Sequence, residues 1–285
     1  KPEAASYADD LAMLAGADRA WLEETTIGVD RGVAVPVQGG DLALDYLPSQ
    51  KHHTARAGRY IKRLQRRLAR QQKGSNRRKR TSQRLSGYHA QRANIRTDFA
   101  HQTSRTLVNG ARVIVFEALK TQRMTRRAKL KQDESGRYLP NQRKAKSGLN
   151  AAILNIGWYR IELFTKYKAK AEGKACFRVP APYTSQECAA CGYTHPDNRR
   201  TQDAFVCVSC GHSDNADRNA ARIIKKRAIE LILHPGTGLT NDNELVTGRG
   251  DQRKTSKAKS PARKGQRNVK KEKGSTTLPL EALPL

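Results

Sequence analysis

Cys188-Ala-Ala-Cys191, fifteen residues, Cys207-Val-Ser-Cys210, and then Asp217-Arg-Asn-Ala-Ala221 form the stretch from which the rest of the chain can be read. Two Cys-x-x-Cys knuckles at this spacing form a four-thiolate zinc site. Each knuckle sets two sulfurs on one side of a tight turn, and the excursion between them brings the chain back to close a tetrahedron. Cys188, Cys191, Cys207 and Cys210 are therefore expected to hold one structural Zn²⁺. His195 and His212 lie close by in sequence, but four thiolates already fill the tetrahedron. Asp217 stands seven residues past the last ligand, so the metal fixes where its carboxylate sits. The zinc reads as a clamp that aims a neighbouring site or grips a polymer.

The charge points the same way. Lys and Arg total 55 against 26 Asp and Glu in 285 residues, a formal net charge of +29. That excess selects a polyanion partner, nucleic acid rather than membrane. No apolar run reaches the roughly 18 residues of a spanning helix, and no apolar core of a signal peptide is present. Paired Cys-x-x-Cys motifs and an odd cysteine count argue for a reducing compartment, and a cytoplasmic protein is expected. The fifth cysteine, Cys176, lies in Ala175-Cys-Phe-Arg-Val179, which reads as a strand with the thiol as a small buried residue.

Working outward, residues 1–24 form an Ala-rich lead-in. Thr26 to Val37 reads as a hairpin turning at Asp30-Arg-Gly32. Residues 51–92 hold fifteen Lys and Arg and no acid. There Tyr60, Leu64 and Leu68 mark one helix face, Gly74-Ser75-Asn76 breaks it, and a second helix runs through Leu85, Tyr88, Ile95 and Phe99. This basic helical hairpin is expected to bind phosphate through Arg63, Arg66, Arg67, Arg70, Arg77, Arg78, Lys79 and Arg80. Val113-Ile-Val-Phe116 reads as a strand buried on both faces, ending at Glu117. Residues 120–147 read as a mobile basic segment, Leu149 to Ala171 as one helix, and Asn215 to Leu233 as the last helix. Residues 234–285 read as a disordered basic tail.

Three carboxylates stand where elements begin or end: Asp30, Glu117 and Asp217. Singly they are ordinary, since an Asp ends many turns and caps many helices. In a chain this basic, acids from separate elements fit a site that holds divalent metals. Two Mg²⁺ roughly 4 Å apart can bridge a scissile phosphate, one activating water and the other stabilising the leaving oxygen. Mg²⁺ demands oxygen ligands and keeps much of its water, so few carboxylates suffice. Asn219, two residues past Asp217, either orients a metal-bound water or caps the helix.

These residues carry a resemblance. Gly28-Val-Asp-Arg-Gly32, Val115-Phe-Glu-Ala-Leu119, Leu64-Gln-Arg-Arg-Leu-Ala-Arg70, Tyr183-Thr-Ser-Gln-Glu-Cys-Ala-Ala-Cys191-Gly192, Cys207-Val-Ser-Cys210-Gly211 and Asp217-Arg-Asn-Ala-Ala221 resemble, in order, the RuvC-like core and zinc ribbon of the TnpB/OrfB insertion-sequence proteins, which are related to type V CRISPR effectors. The resemblance spans about residues 25–230. It implies an α/β fold with an RNase H-like (RuvC-like) mixed sheet, flanking helices, an inserted basic helical hairpin and a four-cysteine zinc ribbon. It further implies Asp30, Glu117 and Asp217 as catalytic acids holding Mg²⁺, with Asn219 in support. The implied activity is RNA-guided cleavage of DNA, with DNA and a guide RNA as partners. Ala118 and Ile223 depart from the family pattern without touching the acids. About 25 residues precede the first catalytic strand where relatives carry a large N-terminal part, so a truncated member, a fragment or a decayed copy is expected.

The expected organisation is a lead-in at 1–24, a nuclease core at 25–180 with the basic insertion at about 51–105, a zinc ribbon at 181–214, a last core helix at 215–233 and the tail. Two other functions compete: an idle or truncated nucleic-acid-binding regulator, and a strand-transferring transposase. An intact Asp/Glu/Asp set argues against the first. A zinc ribbon placed just before the third acid argues against the second.

Overall fold

The computed structural model describes residues 7–234, with side chains from residue 9 onward. Helices α1 (Tyr7–Ala12) and α2 (Arg19–Thr25) lead into strand β1 (Thr26–Val29). There follow β2 (Val37–Gly39), β3 (Leu42–Leu44), α3 (Pro48–Ala69), α4 (Asn76–Gly110) and β4 (Val113–Glu117). Next come α5 (Thr121–Met124), β5 (Lys131–Gln132), β6 (Tyr138–Leu139), α6 (Arg143–Ile156), α7 (Trp158–Ala171) and β7 (Ala175–Val179). The last described elements are β8 (Ala204–Val206), β9 (Ser213–Asn215) and α8 (Ala216–Leu233). The basic tail expected at 234–285 lies, beyond His234, outside the described residues, as does the start of the lead-in.

The central sheet has the order β1-β4-β7, with both pairings parallel. All five residues of β4 are buried, and their alternation explains why. Ile114 and Phe116 face a core built with Phe99, Leu107 and Val108 of α4 and Ile161 of α7. Val113 and Val115 face the opposite core, with Ile224, Ala228 and Leu231 of α8 and Leu22 of α2. A strand covered on both sides reads as an unbroken apolar run, and parallel strands need such cover because their connections are helices. The result is a layered mixed α/β fold. Among the described residues no helix is long and apolar enough to cross a membrane.

Four features differ from the sequence reading. The hairpin expected to close by Val37 instead returns from Val37: Asp30 and Gln38 exchange backbone hydrogen bonds (2.8 and 2.9 Å), and the segment between them is irregular. Pro36 carries no N–H for a ladder, and the Arg31 side chain is drawn into the core. The single helix expected over Leu149–Ala171 is two, broken at Gly157, whose φ of 81° is at ease only in glycine. The basic segment 120–147 carries a short helix and the antiparallel pair β5-β6, turned by Asp133, whose carboxylate accepts from the backbone of Ser135 and Arg137. Finally, α4 runs unbroken to Gly110, so its last third belongs to the core rather than to an insertion ending near 105.

Candidate active site and metal centre

Parallel register sets the acidic site. Thr26 pairs with Val113 and Val29 with Phe116, so β1 and β4 run level with an offset of 87 residues. The same offset separates Asp30 from Glu117, which puts both carboxylates at the C-terminal edge of the sheet. The third acid arrives on α8. Asn215 caps that helix, its side chain accepting from the backbone N–H of Asp217 and Arg218 (3.0 and 3.2 Å). Asp217 is thereby relieved of capping and left in the first turn. A Cβ on Gly32, two residues past Asp30, would lie 3.5 Å from Asp217 Oδ2.

Asp30 senses the charge of both other acids. Burial first, then the charges of Glu117 and Asp217, push the Asp30 carboxyl up to about 7. Burial also raises Glu117, against the opposing hydrogen bond from Thr184 and the charge of Arg31. The Thr184 hydroxyl donates to Glu117 Oε1. Arg31 donates to the Glu117 carbonyl oxygen at 2.5 Å and pairs with Glu162 of α7 at 2.8 Å, its guanidinium lying 5.4 Å from the Phe116 ring centre. Arg199, from the zinc ribbon, donates to Asp217 at 3.1 Å and to the Gln202 carbonyl oxygen at 2.8 Å. Three acids from three elements thus lie near one sheet edge, with Arg31 bonded to the Glu117 carbonyl and Arg199 to the Asp217 carboxylate. Their oxygens are spread more widely than the cysteine sulfurs. Among the described residues, only the four cysteines bring three or more metal-ligating atoms all within 4.8 Å.

Arg31, Thr184 and Arg199 were not assigned from sequence. The first two lie inside motifs that were singled out, beside an acid and before a cysteine. Arg199 lies in the excursion between the knuckles and carries no local signal.

The cysteines close as their spacing requires. Cys188 and Cys210 sulfurs are 3.8 Å apart, and Cys191 and Cys207 sulfurs 3.6 Å. Sulfurs arranged tetrahedrally about 2.3 Å from an ion would stand about 3.8 Å apart. The four cysteines are therefore placed to bind a metal. The two knuckles repeat one another. Gly192 N–H bonds the Cys188 carbonyl and Gly211 N–H that of Cys207, while Cys188 and Cys207 N–H reach the carbonyls of Tyr193 and His212. His195 Nδ1 accepts from the backbone of Asp197.

Asn219 does neither of the two things expected of it. Fully buried, it accepts from Ala189 N–H at 2.9 Å and donates to the Glu187 carbonyl at 2.7 Å. It ties the first cysteine knuckle to the helix that carries Asp217.

The basic hairpin forms from α3 and α4, with Tyr60 and Tyr88 stacked 5.0 Å apart across it. Arg59, Lys62, Arg63, Arg66, Arg67, Arg70 and Arg77 line a groove of about 690 Å³. Lys79 and Arg80 are exposed. Arg78 departs from the expected set: its guanidinium donates to the carbonyls of Leu68 and Gln71, closing the end of α3.

The family described as "Probable transposase" (OrfB_IS605) matches residues 19–128, and that described as "Cas12f1-like, TNB domain" matches residues 158–224. The putative RNA-guided DNA endonuclease InsQ of Escherichia coli (strain K12) is 36% identical over 200 residues, covering 70% of this chain and 48% of the relative. The CRISPR-associated endodeoxyribonuclease Cas12f1 of Sulfoacidibacillus thermotolerans is 37% identical over 81 residues, 28% of this chain and 19% of that protein. A cryo-EM structure of a Cas12f1-sgRNA-target DNA complex aligns with a TM-score of 0.44 at 16% identity, over 71% of this chain and 50% of that one. The chain spans about half the length of the E. coli relative. With two matching families in chain order and an extended match to InsQ, the chain belongs to the TnpB/OrfB family.

Proposed function

We propose that the chain carries the catalytic core of an RNA-guided, metal-dependent DNA endonuclease, with an RNase H-like (RuvC-like) sheet and a zinc ribbon. The observation that carries the reading is the shared edge occupied by Asp30, Glu117 and Asp217, where Asp30 is pushed up to about 7 by burial and by its two neighbours. Carboxylates from two strand ends and a helix start gathered at one sheet edge are what a hard divalent cation draws together, and carboxylate oxygens are the donors Mg²⁺ takes. Asp30, Glu117 and Asp217 would hold two Mg²⁺. When bound, such ions polarise the scissile phosphate and lower the pKa of the attacking water.

The chain's own residues prepare that site. Thr184 fixes one Glu117 oxygen and so the orientation of the carboxylate. Arg31 anchors the Glu117 backbone. Arg199 balances Asp217 and offers donors that a phosphate oxygen can take in its place. Cys188, Cys191, Cys207 and Cys210 hold Zn²⁺, whose part is to fix the ribbon. The basic hairpin grips DNA or guide RNA by its backbone, and the whole acts on DNA in the cytoplasm, at the nucleoid. The names of the E. coli and S. thermotolerans relatives support this substrate.

The test is cleavage of a target DNA by the full chain with a guide RNA and Mg²⁺. Asp30→Ala should abolish cutting and leave nucleic-acid affinity within about twofold. If that variant cuts at the wild-type rate, the chain is a binding module instead.

A further inference from the structure

Tyr183 has a backbone φ of 66°, the left-handed region, which among the described non-glycine residues only Gln142 shares. That region suits glycine and asparagine, and a bulky side chain there is strained. A strained residue persists when its surroundings over-determine it, and such residues gather at functional sites. Burial of the ring does not explain this one, because Tyr183 is 65% exposed. Among the described residues its ring stacks on no other.

The loop around it is held on all sides. The Tyr183 carbonyl accepts from the N–H groups of Gln186 and Glu187 at 2.9 and 3.0 Å. Arg227 of α8 donates to the carbonyls of Pro180 and Pro182 at 2.9 and 2.8 Å and pairs with Glu187 at 2.6 Å. The next residue, Thr184, is buried with its hydroxyl on Glu117. The outcome is a rigid pedestal that presents an aromatic face to solvent one residue from the group that orients an acid of the candidate site.

We propose that Tyr183 is the stacking platform for a nucleobase of the single-stranded DNA led into the carboxylate site, holding the nucleotide beside the phosphate to be cut. The inference rests on the nuclease reading for its substrate. An aromatic face suits this task because every base offers a π-face, so the strand is held without regard to sequence. A pinned backbone keeps the platform at a fixed distance from Glu117, which free rotation of a loop would not.

The test uses the full chain, zinc-loaded and without Mg²⁺, and a single-stranded DNA oligonucleotide carrying 2-aminopurine, whose fluorescence falls on stacking. Wild type should quench the probe. Tyr183→Asn should lose the quenching and bind about tenfold more weakly, yet melt at the same temperature or higher, since asparagine tolerates this backbone. Tyr183→Trp should keep the quenching. The proposal is overturned if wild type fails to quench, if Tyr183→Asn quenches as wild type does, if Tyr183→Asn lowers the melting temperature, which would make the ring structural, or if only an RNA probe responds. No step of this assay involves cleavage. Failure here would leave the Asp30→Ala result standing, whereas failure there would leave Tyr183 a stacking platform on a binding module with no phosphate to cut.

Discussion

Gly28 of β1 and Ala221 of α8 touch through their backbones: a Cβ added at Gly28 would lie 2.2 Å from the Ala221 carbonyl oxygen and 2.4 Å from Lys225 N. No side chain could stand between strand and helix there. The contact presses α8 onto the strand that ends in Asp30, and so brings Asp217, one turn earlier on the helix, to the same edge. Gly28→Ala should force the two elements apart. Backbone atoms cannot rotate away as a side chain can, so the cost should reach about 3 kcal/mol, the upper range for overpacking. Urea unfolding would measure it. Cleavage should fall further than stability predicts, because the displaced helix carries an acid. A variant as stable as wild type would show that the contact is looser than described.

Removing the metal from the ribbon should be felt at the acids. Cys188→Ser should release the ion and loosen residues 181–214, since structural zinc contributes directly to folding. Asn219→Ala tests the link itself. It would strip partners from the Ala189 N–H and the Glu187 carbonyl, at a cost of about 1–3 kcal/mol. Zinc should then pass faster to a chelating dye, although no ligand has changed. Equal release rates in the two proteins would remove Asn219 from the connection.

The legible parts of the molecule were those with local causes. The buried run Val113–Phe116 announces a strand covered on both faces, and the acid after it marks the strand's end. The cysteine spacing announces the knuckles. Asn219 misled because its partners are backbone groups 30 and 32 residues upstream, visible only once ribbon and helix meet. The break at Gly157 was hidden because apolar residues keep helical spacing on both sides of it. The β1–β4 register, which sets Asp30 level with Glu117, is a property of two strands and is written in neither.

Asp10 gives a pH dependence with a definite sign. It is buried in α1 with Oδ2 lacking a hydrogen-bond partner. Burial raises its carboxyl to about 6, opposed by Lys166 and by the Cys176 backbone N–H. A folded-state value above the unfolded one means that the contribution to stability is fully present below about pH 4 and is lost as pH rises through about 6. Between those values stability should fall by about 1 kcal/mol per pH unit from this group alone. Asp10→Asn removes the titration. It should leave the melting temperature below about pH 4 close to that of wild type and raise it at pH 8. A variant no more stable than wild type at pH 8 would mean that the ionised carboxylate is adequately solvated.

The arginines of α3 and α4 divide by what they touch, and the division can be measured. Arg63, Arg66, Arg67 and Arg70 are exposed and line the basic groove, whereas Arg78 is spent on the carbonyls of Leu68 and Gln71. A cation that neutralises a phosphate releases a counterion, so each contact adds about 0.7–0.9 to the slope of log affinity against log salt. Replacing the four exposed arginines with Gln should flatten that slope by about 3 and weaken binding evenly across sequences. Arg78→Gln should leave the slope nearly unchanged, yet lower the melting temperature because the last carbonyls of α3 lose their donor. Titrations of a labelled duplex and a labelled single strand at several salt concentrations would read both effects. An unchanged slope in the fourfold variant would make the exposed arginines a solvated surface. A slope that falls with Arg78→Gln instead would mean that its guanidinium leaves the helix end when nucleic acid binds.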